Sequence, residues 1–211
     1  MQIEIHGHQF QLLPQKAVWW KDTDTLLTGD LHLGKVTHFR KAGIAIPSTI
    51  PAGNFKRLDE ILAVTQAKRI IFLGDLFHNR YNAEWDRFEE WRKVNSDVSM
   101  IIVPGNHDIL PVSLFHNNDI ALMETMQEGN FIFTHHPQES WLPDTFTFCG
   151  HIHPVFCLRD PAKQHIKLPC YVLESNQMVL PSFGLFTGGY EMARMHGRHI
   201  FVIAGDKVFA V

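Results

Sequence analysis

The chain has 211 residues, 45% of them hydrophobic, enough for one compact domain spanning 1–211 with a sizeable core. Its net charge of -3 and pI near 6.5 exclude the strongly basic balance of a protein that coats duplex nucleic acid without preference. Three cysteines without CxxC spacing exclude a disulfide framework, and no apolar run reaches the ~20 residues needed to span a bilayer. Met1-Gln2-Ile3-Glu4-Ile5-His6 lacks the basic and apolar regions of a signal peptide, so a reducing, cytoplasmic setting without membrane contact is expected.

Ile3-Glu4-Ile5 and Phe10-Gln11-Leu12 alternate apolar and polar residues around Gly7, which predicts an opening hairpin. Thr25-Leu26-Leu27-Thr28 predicts a short strand that delivers Gly29-Asp30-Leu31-His32. Ile46-Pro47-Ser48 leads into a helix from about Pro51 to Thr65, with Phe55, Leu58, Ile61 and Leu62 on one face. Arg69-Ile70-Ile71-Phe72-Leu73 has the apolar run of a strand buried on both faces, and it ends at Gly74-Asp75. A second helix is predicted over about Ala83 to Val94, where Trp85, Phe88 and Trp91 at helical spacing favour core packing over a base-stacking surface. Met100-Ile101-Ile102-Val103 then carries Pro104-Gly105-Asn106-His107-Asp108 at its end. From Ile120 the helical period disappears. Strand-like segments follow at Ile120 to Glu124, Phe131 to Thr134, Phe146 to Cys149, Pro154 to Leu158, Tyr171 to Leu173, Met178 to Leu180, Ile200 to Ile203 and Lys207 to Val211. A βαβαβ half followed by a mostly β half predicts an α/β (α+β) fold, a two-sheet sandwich flanked by helices.

Five polar signatures stand at the ends of these apolar runs: Asp30-Leu31-His32, Gly74-Asp75, Gly105-Asn106-His107-Asp108, His135, and Gly150-His151-Ile152-His153. All offer oxygen or imidazole nitrogen. Strand ends are where open α/β sheets place their sites. A phosphodiester is anionic and resists water, so its hydrolysis needs an activated nucleophile and neutralised charge. Two divalent ions sharing a carboxylate supply both, and Asp75 is the natural bridge. On an extended chain Asp30 and His32 would face one side and chelate one ion, while His151 and His153 repeat that spacing or diverge to separate ions. Gly29, Gly74, Gly105 and Gly150 precede polar residues, as expected where backbone must approach a ligand closely. Cys149 is a poor ligand candidate, because a thiolate is foreign to carboxylate–imidazole hydrolytic sites.

This series resembles the calcineurin-like metallophosphoesterase superfamily, whose pattern is DxH, GD, GNHD, H and GHxH, and it matches from about Asp30 to His153. The resemblance implies that Asp30, His32, Asp75 and His153 hold one metal and that Asp75, Asn106, His135 and His151 hold the other. It further implies that His107 protonates the leaving oxygen or stabilises the transition state, oriented by Asp108, while a hydroxide bridging the metals attacks phosphorus. Gly74-Asp75-Leu76-Phe77-His78 is similar to the second signature of a double-strand-break repair nuclease, which gives His78 a role in positioning the nucleotide. Asp30-Leu31-His32-Leu33-Gly34-Lys35 with Phe39-Arg40, together with Leu180-Pro181-Ser182-Phe183-Gly184, Phe186-Thr187-Gly188-Gly189 and Pro169-Cys170, resembles the ligase-associated DNA damage response endonucleases. That family implies a DNA substrate and association with an ATP-dependent DNA ligase, a helicase and an exonuclease.

Lys35 and Arg40 read either as contacts to a flanking phosphate, Arg40 slightly ahead, or as solvated cations. His136 is expected to point away from His135, and Phe183 and Phe186 to pack in the core before they stack on a base. His6, His8, His38, His116, His165, His196 and His199 lie outside any motif. The leading expectation is therefore a manganese-dependent nuclease of DNA repair, with iron, zinc or magnesium as alternatives at one position. A small-molecule or cyclic nucleotide phosphodiesterase or phosphatase is the alternative, and a catalytically silent binding scaffold is a third.

Overall fold

The computed structural model describes residues 1–41, 43, 50–78, 83–159, 165–185 and 187–211, without the side chains at 41 and 50–52. Ile46-Pro47-Ser48 and Phe186 lie outside the described residues. The first sheet opens as a meander of β1 (Gln2–Ile5), β2 (His8–Leu12), β3 (Val18–Trp20) and β4 (Thr25–Thr28). It continues through crossovers: α1 (Lys35–Lys41), α2 (Ile50–Thr65), β5 (Arg69–Phe72), α3 (Ala83–Val94), β6 (Ser99–Ile102), α4 (Val112–His116) and β7 (Ile120–Leu122). These seven strands lie in sequence order, antiparallel from β1 to β4 and parallel from β4 to β7.

The second sheet is built from β8 (Met126–Glu128), β9 (Phe131–Phe133), β10 (Phe146–Cys149), β11 (Pro154–Arg159), β12 (His165–Leu173), β13 (Gln177–Val179), β14 (Tyr190–Glu191), β15 (His199–Ala204) and β16 (Lys207–Ala210). Its path is β14-β11-β12-β13-β10-β9-β8, with β15 and β16 added beside β12. β9, β10 and β13 run parallel, so their C-terminal ends share one edge of the sandwich.

Strand alternation explains the layers. Ile70, Phe72, Met100 and Ile102 face the helices, where Leu58, Ile61 and Leu62 of α2 and Trp85, Phe88 and Trp91 of α3 cover them. Leu27, Ile71, Leu73 and Val103 face the other way, onto Phe131, Phe133, Phe148 and Met178 of the second sheet. The aromatic stripe of α3 is thus core, as its spacing predicts, and not a platform for bases. The sandwich flanked by helices also agrees with the pattern. β3, β8, β14, α1 and α4 are too short to leave a period in the sequence.

Candidate metal centre

The parallel strands of both sheets end at one edge, and the chain continues from each as a polar loop. Beyond β4 and β5 the two loops stay paired: the N–H groups of Asp30, His32 and Leu33 donate to the carbonyls of Gly74, Asp75 and Leu76, each at 2.9 Å. The backbone here is not extended, contrary to what the two-residue spacing of Asp30 and His32 predicts. Asp30, His32 and Asp75 have φ of 57°, 49° and 49°, and His151 and His153 have 68° and 52°. Five of the expected ligands therefore sit in the left-handed region, at about 1–3 kcal/mol each. Surrounding bonds hold them there. The Ser182 hydroxyl donates to the Asp30 carbonyl at 2.7 Å, and the N–H groups of His151 and His107 donate to Asp30 Oδ2 (3.0 Å) and Asp75 Oδ1 (2.9 Å). Gly74 admits no side chain, because an added Cβ would overlap the His135 ring.

Six side chains converge from these loops. His153 Nε2 lies 3.1 Å from Asp30 Oδ1 and 3.3 Å from His32 Nε2. Asp75 Oδ2 lies 3.7 Å from both His32 Nε2 and His135 Nε2, midway between the two groups, and His135 Nε2 lies 3.1 Å from His151 Nδ1. Two donors ~2.1 Å from one ion and 90–110° apart at it would be about 3.0–3.4 Å from each other, so the 3.1 Å and 3.3 Å spacings suit shared ions, and the 3.7 Å spacings of Asp75 correspond to a wider angle of about 120°. Asp30 Oδ1 is buried and accepts no hydrogen bond, an uncompensated acceptor of the kind a cation satisfies. Asp30, His32 and His153 form one group able to hold an ion, and Asp30, Asp75 and His135 form another.

The rings are set up as ligands. His135 Nδ1 lies 2.9 Å from the Leu73 carbonyl, which can only accept, so Nδ1 carries the proton and Nε2 offers its lone pair. Burial, then Lys35 and His153, pushes the His32 pKa down to about 2 and keeps that ring neutral. Burial, His136 and His135 also lower that of His151.

The calcineurin-like phosphoesterase family pattern matches residues 23–164, which contain all of these groups. The chain belongs to the calcineurin-like phosphoesterase family. It is thus a metal-dependent enzyme that hydrolyses phosphate esters. No curated protein matches it. Among solved structures it is similar over 100% of its length to 99% of a Pseudomonas putida nuclease, MPE, with 30% identity and a TM-score of 0.85. A phosphoesterase from E. coli, Yfce, aligns with 89% of this chain and 97% of its own, at 13% identity and a TM-score of 0.47.

Around this centre the phosphoesterase places its other candidate residues in part as expected and in part otherwise. Asp108 does not orient the His107 ring. Its carboxylate accepts from the N–H groups of Phe77 and Gly105, both at 2.9 Å, and so braces the loop from which His107 projects. His107 is exposed, and its ring stacks on His78 at 4.8 Å. Burial, then His107 and Lys35, lowers the His78 pKa to about 4. His136 is exposed as expected but does not point away: its Nε2 lies 2.9 Å from Asn106 Oδ1 and its ring 4.2 Å from that of His151. His38, outside any motif, meets His78 edge-on at 5.6 Å. Lys35, at the start of α1, is half-buried within the field of Asp75 and Asp30, and Arg40 is exposed further along the same helix. Phe183 is fully buried under the Arg57 guanidinium, 4.1 Å from the ring centre, and cannot stack on a base. Cys149 is buried, its Sγ 3.6 Å from the Met178 carbonyl, and burial raises its pKa far above the thiol range.

Proposed function

We propose that this phosphoesterase is a dinuclear, manganese-dependent phosphodiesterase that cuts DNA internally and serves DNA repair, acting as one domain over 1–211. The observation that carries this reading is the convergence of Asp30, His32, Asp75, His135, His151 and His153, with Asp30 Oδ1 buried and unbonded. In this reading Asp30, His32, Asp75 and His153 hold one ion and Asp75, Asn106, His135 and His151 hold the other. When bound, such a pair neutralises charge on phosphoryl oxygens and lowers the pKa of a water molecule. Manganese suits a ligand set of carboxylate, amide and imidazole without thiolate, and iron, zinc or magnesium could replace it at one position.

The remaining work falls to the chain. His107, free of any ligand role, donates a proton to the departing ribose oxygen, and its stacking on His78 fixes the ring. His78 and Lys35 border the same space and contact the substrate backbone. Asn106 and His107 are exposed, and His151 and His153 are half-buried, so the site meets solvent directly, as a polymer requires. A small or cyclic nucleotide would favour an enclosed pocket, and a silent scaffold would have lost ligands. The similarity to a nuclease from Pseudomonas putida supports a nucleic acid substrate. The resemblance to ligase-associated endonucleases supports a cytoplasmic role beside an ATP-dependent DNA ligase, a helicase and an exonuclease.

The test is metal-stripped protein reloaded with manganese and given circular single-stranded DNA, with bis-p-nitrophenyl phosphate alongside. A circle has no ends, so linearisation reports internal cleavage. Asp75→Asn and His107→Ala should each lower cleavage at least about a hundredfold with the circular dichroism spectrum unchanged. Near-wild-type rates in either variant would refute the assignment, and hydrolysis of the small diester alone would move the substrate to small nucleotides.

A further inference from the structure

Beside the metal centre lies a cavity of about 280 Å³ that the chemistry above does not use. His153 forms one wall, and Lys16, Lys167, Ser182, Thr187 and Gly188 line much of the rest. We propose that this cavity is a subsite for the phosphate next to the scissile one along a DNA strand, held chiefly by Lys16. The proposal rests on the nuclease reading and deepens it.

Lys16 is placed there by a rigid turn. The Leu13 N–H donates to the Ala17 carbonyl at 2.9 Å, and the Lys16 N–H donates to the Leu13 carbonyl at 3.1 Å. The fully buried Tyr171 hydroxyl lies 2.6 Å and 2.8 Å from the same two carbonyls and pins the turn to the second sheet. Lys16 has a φ of 68°, a conformation that a lysine adopts at a cost. Its neighbourhood is also costly for a cation. Burial, then the Arg57 guanidinium, pulls its pKa down to about 8. None of the ion pairs among the described residues includes Lys16. A half-buried lysine at a cavity whose described lining holds no carboxylate is relieved by an anion that enters. Lys167, at the rim, is shared with Glu191 at 3.6 Å and adds a second, weaker positive charge.

The position selects the kind of anion. Ser182 lines the cavity while its hydroxyl holds the Asp30 carbonyl, so the cavity shares a wall with the centre where hydrolysis occurs. At about 280 Å³ it is at or below the ~300 Å³ lower end of small-molecule pockets and suits one sugar–phosphate unit. A diester with a single phosphate has no second anion to put there. A polynucleotide always does. Thr187 and Gly188 belong to the late motifs that the metal chemistry leaves without a role. Gly188 lies outside the left-handed region, and a Cβ added to it meets nothing within 4 Å, so a side chain there would enter open space.

The test measures kcat/KM of the manganese-loaded full chain on a single-stranded DNA oligomer and on bis-p-nitrophenyl phosphate, over a range of salt. It compares the unaltered chain with Lys16→Gln and with Gly188→Leu, the second of which adds bulk at the cavity lining should the first perturb its turn. In both variants the ratio of DNA to small-diester kcat/KM should fall at least about tenfold, through KM. For Lys16→Gln the slope of log affinity against log salt should also shrink by about 0.7, the value for one phosphate contact on a single strand. Equal losses on both substrates, or DNA cleavage that neither change affects, would overturn the subsite and leave the nuclease reading standing. Hydrolysis of the small diester with DNA left intact by the unaltered chain would remove the nuclease reading and the subsite with it.

Discussion

The Asp108 carboxylate commits both oxygens to backbone N–H groups, one on the loop after β5 and one on the loop after β6. Burial raises its pKa to about 6, yet the two bonds tie the segments that carry Asp75 and His107. Asp108→Ala would leave two N–H groups without an acceptor, so we expect a loss of about 1–3 kcal/mol in urea unfolding. Turnover of bis-p-nitrophenyl phosphate should fall less than in His107→Ala, and unchanged stability would show that the brace is dispensable. The GNHD spelling marks Asp108 as important but not how it acts, because its partners Phe77 and Gly105 are chosen by the approach of two loops. The same holds for His136. Adjacent residues usually diverge, but here the turn after β9 brings both His135 and His136 onto His151.

At the scale of elements, β4, β5, β6 and β10 each run on to a glycine, Gly29, Gly74, Gly105 or Gly150, where an added Cβ would crowd the loops of the site. The Gly150 turn after β10 shows the tolerance: an added Cβ would lie 2.5 Å from Asp30 Oδ2 and 3.1 Å from the Leu73 carbonyl. We expect Gly150→Ala to displace Asp30, weaken manganese binding at least about tenfold by calorimetry, and cost about 1–3 kcal/mol of stability. Unaltered manganese affinity would show that the loop absorbs the methyl group. α2 and α3 were legible because Leu58, Ile61 and Leu62, and Trp85, Phe88 and Trp91, stand at the helical period within segments of 16 and 12 residues. β4, β5 and β6 were legible as apolar runs. The left-handed φ values at Asp30, His32, Asp75, His151 and His153 were not, since nothing in these residue types demands them.

Taken as a whole, the molecule gathers strained backbone, buried carboxylates and the buried His32 ring at one edge of its sandwich. In the unfolded chain His32 takes up a proton near pH 6.5, whereas in the folded metal-free chain its pKa is about 2. Its contribution to stability is therefore complete above pH 6.5 and is lost as pH falls below that value. Metal-stripped protein should be about 2 kcal/mol less stable at pH 5 than at pH 7 from this ring alone, and manganese at a hundred times its Kd should add about 2.7 kcal/mol at pH 7. Urea unfolding at the two pH values, with and without manganese, measures both effects. A pH-independent midpoint for the stripped protein would contradict the burial of a neutral His32.

What the sequence determined by itself was the set of donors, their order, and the apolar strands and helices that carry them. Those properties are local: a period of two or 3.6 residues and the chemistry of each side chain can be read from adjacent positions. Only the tertiary structure decided which atoms meet. His32 and His153 are separated by 121 residues, and Lys16 reaches the cavity beside them because Tyr171, 154 residues after Ala17, holds its turn. Such meetings depend on the register of two sheets and the closure of the loops between them, and no local pattern encodes either.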